Sequence, residues 1–194
     1  MQRRNWTQSG WMRVMAFLVI IAISLAATAQ PARAEAPAPD PQTERYEIWF
    51  LEGMIENHAM AVMMAEVCLH HAIHPELLTM CKDIMNTQSQ EIALMQSWLQ
   101  DWCGIAYEPQ MPPGHHQSLY QPVMRMTPEE FEIWFMRTMI RHHEGAIREA
   151  EGCLDRAYHP ALQSLCQNII ATQSAEIQQM QVWLCEWSDI CRPN

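Results

Sequence analysis

The stretch TQSQEIALMQSWL at residues 87–99 returns 85 positions later as TQSAEIQQMQVWL at residues 172–184. The match continues without a gap from residues 46–102 to residues 131–187, and about half of the aligned positions are identical. Self-similarity at one fixed offset indicates a duplicated supersecondary unit. The chain is therefore expected to contain the same structural unit twice.

The residues that the two copies share recur at alternating steps of three and four, which is the spacing of one helical face. A face that is buried between helices is normally apolar, but this one includes Gln, Glu and His in both copies. Burying such groups without partners costs several kcal/mol. We therefore expect them to bind one another or a ligand. In the first copy the face comprises Met54, His58, Ala61, Ala65, Cys68, Cys81, Ile84, Gln88, Glu91, Met95, Trp98 and Trp102.

Helix boundaries follow from proline. A residue that precedes proline avoids the α region, while proline itself suits the first helical turn. His74-Pro75 and His159-Pro160 therefore each separate two helices, and the first helix is expected to run from about residue 43 to Ile73. Thr127, with Pro128 and two glutamates after it, predicts the start of the third helix. The fold class is all-α, an antiparallel four-helix bundle made of two helical hairpins.

The predicted domain organisation has one bundle domain at residues 44–190. In chain order we expect a signal peptide at 1–34, a disordered tether at 35–43, the first hairpin at 44–103, a Pro/His/Met linker at 104–127 and the second hairpin at 128–190.

The register of each hairpin follows from the turn, because residues equally far from an antiparallel turn lie at the same height. In the first hairpin this places His58 opposite Glu91, and the second hairpin repeats the relationship with His143 and Glu176. The other facing pairs are Met54 with Met95, Cys68 with Cys81, Met139 with Met180, and Cys153 with Cys166.

The first residues have the features of a secretory signal. Three arginines precede an apolar stretch, and Ala32-Arg33-Ala34 is a suitable cleavage site. An uncleaved anchor is the alternative. Cleavage there leaves 8 basic and 22 acidic residues, a net charge of −14, which argues against nucleic acid and anionic membrane surfaces as partners. The expected location is periplasmic or secreted.

Seven cysteines in an exported chain indicate disulfides. The register predicts that Cys68 pairs with Cys81 and that Cys153 pairs with Cys166. A third disulfide between Cys103 and Cys191 would tie two helix ends together and leave Cys185 unpaired. The alternative for these residues is ligation of a soft metal by thiolates.

Two sets of side chains combine thioether, imidazole and carboxylate groups at one height of a hairpin. Thioethers select Cu(I), whereas imidazole also serves Cu(II) and Zn. The sequence thus predicts copper sites, and the alternative is a buried His–Glu hydrogen bond with methionine as core filler. The first set is Met54, His58, Glu91 and Met95, and the second is Met139, His143, Glu176 and Met180.

Further candidate ligands lie off this face. Met60 and Met64 fall on another side of the first helix and could be exposed ligands, and the linker carries His115 and His116 near several methionines. His70 and His74 are four residues apart, a spacing that can chelate a metal ion on one helical face. Core packing, an ordinary loop and adventitious metal binding are the respective alternatives.

The second copy also contains a recognisable motif, MIRHHEGAI at residues 139–147 followed by QSAEIQQMQVWL at residues 173–184. Both copies resemble the domain-of-unknown-function 305 family, whose members are exported ferritin-like four-helix bundles, some of them copper-binding proteins of the CopM type. The resemblance implies a periplasmic role in copper binding or tolerance. It also implies a histidine pair, His142 and His143, with Glu/Met pairs at Glu176 and Met180 and at Glu91 and Met95. In the first copy, Asn57 replaces the first histidine.

The sequence favours an exported, non-catalytic protein that binds copper for sequestration, tolerance or delivery, with a copper-handling protein as its partner. The alternative is a metal-free structural or protein-interaction bundle whose buried polar groups fix the helix register. A di-iron enzyme would need several more carboxylates and Glu-x-x-His pairs. No phosphate-binding loop or nucleophilic triad is evident.

Overall fold

The structure is a computed structural model that describes residues 36–110 and 121–191. Four long helices account for most of these residues, so the all-α prediction is confirmed. The predicted signal peptide and the linker residues His115 and His116 lie outside the described parts. The helices are α1 (Pro41–His71), α2 (Pro75–Cys103), α3 (Pro128–Arg156) and α4 (Pro160–Ser188).

Each helix begins with proline, and two of them have a side-chain cap. The carboxylate of Asp40 accepts a hydrogen bond from the Thr43 amide at 2.8 Å at the start of α1. Thr127 caps the start of α3, as the sequence predicts, and it forms a reciprocal capping box with Glu130. No helix in the described residues is long and apolar enough to cross a membrane.

The two hairpins pack with α1 antiparallel to α3. The guanidinium of Arg156 lies 3.8 Å from the ring centroid of Tyr46, so the end of α3 meets the start of α1. At the opposite end, the rings of His71 and Phe131 lie 5.3 Å apart. Helices α2 and α3 consequently run in the same direction, and the segment between them must cross the bundle length. Helices of 29 residues span roughly 43 Å at 1.5 Å per residue.

The buried apolar residues form two clusters. The lower cluster combines the start of α1 and the end of α2 with the end of α3 and the start of α4. The upper cluster combines the remaining halves of the same helices. Ile105 and Tyr107 pack on the lower cluster, whereas Val123 belongs to the upper one, as a crossing segment requires.

The structure confirms two predicted disulfides, Cys68–Cys81 and Cys153–Cys166, each with a Cα separation of 6.3 Å. Each closes its hairpin near the turn.

The predicted pairing of Cys103 with Cys191 is wrong. Cys191 is bonded to Cys185, because the chain turns back at Asp189 and returns to the last turn of α4. Cys103 contacts the lower cluster, while Trp187 at the end of α4 contacts the upper one, so the two predicted partners lie at opposite ends of the bundle. Cys103 is a half-buried free thiol.

Glu132 of α3 binds the turn of the other hairpin. Its Oε1 atom accepts hydrogen bonds from the amides of Ile73 and His74, both at 2.8 Å. Its Oε2 atom lies 2.6 Å from Nδ1 of His74. The ring of Trp187 stacks on this imidazole at 3.9 Å. Together these residues join the two hairpins at the upper end of the bundle.

The duplication builds the same arrangement at the lower end. Glu47 accepts hydrogen bonds from the amides of Tyr158 and His159 at 2.8 and 3.0 Å, and its other oxygen lies 2.7 Å from Nδ1 of His159. Trp102 stacks on that imidazole at 3.7 Å. We call the two sets the upper and lower Glu–His–Trp clasps. Each clasp holds one hairpin against the other through polar contacts.

Candidate metal centre

A polar layer separates the two apolar clusters at mid-height of the bundle. His58 is half-way along α1 between Tyr46 and His71, and His143 is half-way along α3 between Phe131 and Arg156. Because these flanking residues meet in the antiparallel pair, His58 and His143 lie at the same height. The duplication therefore brings both candidate sets into one central region, which the sequence predicted only one hairpin at a time.

The first half of the layer is a His–Glu pair. Nε2 of His58 lies 2.7 Å from Oε2 of Glu91, as the hairpin register predicts. His58 is fully buried, whereas 16% of the Glu91 side chain is exposed. In the neutral tautomer of His58 that donates its Nε2–H to this carboxylate, Nδ1 carries a lone pair. That Nδ1 atom is buried and has no hydrogen-bond partner.

The second half repeats the contact in a less ideal geometry. Nε2 of His143 lies 2.7 Å from Oε2 of Glu176, but the approach is off-axis and forms no hydrogen bond. Nδ1 of His143 is also buried without a partner. Both copies thus place an imidazole against a carboxylate and leave the other ring nitrogen unused.

His142 adds a third imidazole beside this layer. Its ring centroid lies 6.1 Å from that of His143, and its Nδ1 atom is buried without a partner. The pKa of His142 is lowered to about 4, first because burial disfavours the charged ring and then because His143 and His58 are nearby. The ring is therefore neutral near pH 7 and retains a lone pair. Because His58 of the first hairpin contributes to lowering the pKa of His142 in the second, the two halves of the layer are close enough to interact electrostatically.

Amide groups extend the layer without satisfying it. Gln88 and Gln173 are buried on α2 and α4, and the side-chain oxygen of each lacks a hydrogen-bond partner. The same is true of the Asn57 oxygen, which stands where the second copy has His142. Leaving a buried polar group unpaired costs about 1–3 kcal/mol. This many unpaired atoms in the central region of the bundle indicate that it receives a bound ion or water.

Four fully buried methionines flank the layer. Met54 and Met95 belong to the lower cluster, and Met139 and Met180 belong to the upper one. Their thioethers are soft donors on both sides of the imidazoles. All eight residues of the two predicted sets therefore lie in the central region of the bundle.

The remaining candidate ligands lie elsewhere. Met64 is only 3% exposed and packs in the upper cluster, so it is not an exposed ligand, and Met60 packs against the same cluster. His70 and His74 do not share one helical face, as their predicted chelate requires, because α1 ends at His71 and His74 is the N-cap of α2. His70 is exposed on the last turn of α1, while His74 is held by Glu132 in the upper clasp.

The clasps themselves were missed in the sequence. Their signal was present, because the Glu at 47 and 132 and the His at 74 and 159 are identical in both copies. A duplicated residue, however, gives no information about which hairpin its partner comes from.

The donor set fits a soft ion better than a hard one. In the part of the chain that the structure describes, no group of three or more His, Cys, Asp and Glu side chains is arranged to hold a metal. A metal in the central layer would therefore need thioether donors beside imidazole, which is a combination that favours Cu(I) over Zn or Ca.

Several known proteins resemble this chain. CopM in the Cu(I)-bound form is 32% identical with a TM-score of 0.65, and the match covers 73% of this chain and 97% of that one. A DUF305 fragment from Deinococcus radiodurans is 25% identical with a TM-score of 0.64, over 78% and 99% of the two chains. No curated protein matches. The family model described as domain of unknown function DUF305 matches residues 47–184, so the chain belongs to the DUF305 family.

Proposed function

We propose that this protein is an exported, non-catalytic copper-binding protein whose ion binds in the central polar layer. One observation carries the proposal: His58, His142 and His143 each have a buried, unpartnered Nδ1 atom, and two pairs of buried thioethers flank them. Copper would be the cargo of the protein, which takes it up, stores it or passes it on.

The His–Glu pairs support this assignment chemically. Metal-binding histidines usually donate their second ring N–H to a carboxylate, which fixes the ring and raises the basicity of the ligating nitrogen. Glu91 stands in that position behind His58, with the lone pair of Nδ1 left for a metal. The lowered pKa of His142 has the same consequence, because a neutral ring needs no deprotonation before it binds.

The relatives point to the same ion. CopM is described in Cu(I)-bound, Cu(II)-bound and Ag-bound forms, and Ag(I) has the same preference for soft donors as Cu(I). At 32% identity, the match supports transfer of this chemistry as a proposal for the present chain.

An oxidising compartment suits both the cysteines and the copper chemistry. Three disulfides persist where thiols are not kept reduced. Together with the signal-like first residues, they support a periplasmic or secreted location. A role in copper sequestration, tolerance or delivery to a copper-handling protein follows from that location.

A metal-free interaction or scaffold protein is the second candidate. The hydrogen bond between His58 and Glu91 is already closed without any ion and could serve to fix the hairpin register. On that reading the unpartnered ring nitrogens bind water and copper has no effect.

Cu(I) titration against a chromophoric chelator, followed by metal counting, separates the two candidates. We expect binding tighter than about micromolar and a loss of about tenfold or more in affinity for the double variant Met95→Leu/Met180→Leu. Leucine has nearly the volume of methionine, so the fold should be retained. Met136→Leu is the matched control, because Met136 is equally buried and the first copy has Leu51 there. Absence of binding would favour the metal-free bundle, whereas equal and tight affinity in all three proteins would show that copper binds without Met95 and Met180.

A further inference from the structure

The segment after α2 lies in a groove of its own hairpin. Gly104 adopts the left-handed conformation with φ of 68°, and the chain turns back along α1. The side-chain amide of Gln96 donates to the carbonyl of Tyr107 at 2.9 Å. Glu56 accepts hydrogen bonds from the Tyr107 hydroxyl at 2.7 Å and from the amide of Gln110 at 2.6 Å. Residues 105–110 thus cover the groove between α1 and α2.

The second hairpin has a matching groove, and the described part of the chain ends beside it at Cys191. Asp189 is left-handed like Gly104, and the amide of Ile190 bonds to Leu184 as the amide of Ile105 bonds to Leu99. A groove of about 340 Å³ follows along α3 and α4. It is lined by Arg137, Ile140, Arg141, Glu144, Gln181 and Leu184, which match Glu52, Ile55, Glu56, Ala59, Gln96 and Leu99 under the first segment.

Of the counterparts of residues 105–110, the structure describes Ile190 and Cys191, and both line this groove. Ile190 is 37% exposed, whereas its counterpart Ile105 packs on the lower cluster. The chain then reaches Cys191, which the disulfide holds on the last turn of α4. An apolar floor and a matched glutamine, Gln181, remain accessible in the groove.

The charge of the groove is reversed between the copies. Glu52 and Glu56 become Arg137 and Arg141, which are exposed on a molecule whose net charge is −10. Where Glu56 accepts from a hydroxyl and an amide, a guanidinium can only donate, and its fork fits a carboxylate. Among the described residues that line this groove, Glu144 is the acidic one.

We propose that this groove binds an extended acidic segment of another protein. The segment runs along α3 as residues 105–110 run along α1, with one backbone carbonyl accepting from Gln181. A carboxylate of the segment pairs with Arg141, at the place that the Tyr107 hydroxyl occupies beside Glu56. The proposal does not depend on copper binding, although a protein that exchanges the ion would gain a docking site on the same bundle.

By charge, an acidic partner is more complementary to Arg137 and Arg141 than the basic end of this chain is. Arg192 is the counterpart of Tyr107, so a tail laid along α3 would bring its guanidinium towards Arg141. Like charges in that position repel, whereas an acidic partner removes the repulsion.

The test uses two synthetic peptides based on residues 104–110 and the purified, isotope-labelled protein. The acidic peptide, GIAEEPQ, has Glu at the Tyr107 position, and the basic peptide, GIAKKPQ, has Lys at that position and the next. We expect the acidic peptide to shift the amide resonances of Arg141, Gln181 and Ile190, and to bind about tenfold or more tightly than the basic one at low salt. The double variant Arg137→Glu/Arg141→Glu, which restores the charge of the first copy, should reverse the preference, and an unchanged melting temperature shows that it folds.

Three outcomes would overturn the proposal. One is that neither peptide binds, or that the preference survives the charge reversal. A second is that truncation after Cys191 raises peptide affinity about tenfold or more, which would assign the groove to the chain's own tail. A third is that the same resonances shift with protein concentration alone, which would assign it to a second copy.

Discussion

Oε2 of Glu47 lies 2.7 Å from Nδ1 of His159, across 112 residues of sequence, and both side chains are almost fully buried. The upper clasp repeats this contact between Glu132 and His74 at 2.6 Å. The contacts cross between the hairpins at both ends of the bundle. They define how the duplicated halves meet, and therefore how the central layer is assembled.

The two clasps should differ in their contribution to stability. Glu47→Ala leaves two amides and a buried imidazole without their acceptor, and we expect it to lower the free energy of unfolding by about 3–4 kcal/mol. Glu132→Ala should cost about 1–2 kcal/mol, because 35% of the His74 side chain is exposed and water can replace the carboxylate. Urea unfolding measures both. Glu66→Ala, at an exposed position of α1, is the control and should change stability by less than about 0.5 kcal/mol. If Glu47→Ala and Glu132→Ala lower the free energy of unfolding equally, burial of the histidine does not determine how much a clasp contributes.

The cysteine connectivity has a direct chemical test. Proteolysis without reduction should release a peptide that links Cys185 to Cys191, and alkylation of the unfolded protein should label Cys103. In the folded protein that labelling should be slow, because burial raises the pKa of the Cys103 thiol and less thiolate is present. Mass spectrometry of the labelled peptides gives the rates. A linked Cys103–Cys191 peptide would refute the connectivity described above.

Acid should weaken the bundle through His142. Its pKa is about 4 in the folded protein and near 6.5 in the unfolded chain, so the unfolded chain binds the extra proton between these values. The associated stability is complete above pH 6.5 and is lost as the pH falls to about 4, a decrease of roughly 3 kcal/mol at most.

Other groups titrate in the same range, so the readout is a difference between two proteins. His142→Asn introduces the residue that the first copy has as Asn57. The unfolding free energy of this variant should depend less steeply on pH than that of the original protein between pH 6.5 and 4. Parallel curves would show that His142 is not the titrating group.

What the sequence predicts well is the interior of each hairpin. The distance from the turn determines the register, so the pairing of His58 with Glu91 and of Cys68 with Cys81 follows from spacing alone. Small deviations arise at helix ends. The first helix ends at His71 and not at Ile73, because Glu132 of the other hairpin accepts hydrogen bonds from the amides of Ile73 and His74.

What the sequence does not predict is how the hairpins meet. A repeat specifies the structure of each hairpin but not the relative direction of the two hairpins. The sequence therefore allowed Cys103 and Cys191 at the same end of the bundle, whereas they lie at opposite ends. For the same reason, the sequence does not predict that His58 and His143 lie at the same height of the bundle. The sequence therefore predicts Met95 and Met180 in two separate sets of ligands, whereas in the structure both flank one central region.

The single His142 offers a last test of whether the two copies share one copper site. If the layer is shared, His142→Asn should weaken Cu(I) binding by about tenfold, and adding Asn57→His should restore most of the loss, since the two positions are related by the duplication at the same height of the bundle. The chelator competition assay measures all three proteins, and their circular dichroism spectra establish that they fold alike. If the double variant binds no better than His142→Asn, the ion belongs to the second copy alone, because an imidazole on α1 would then be unable to replace the one lost from α3.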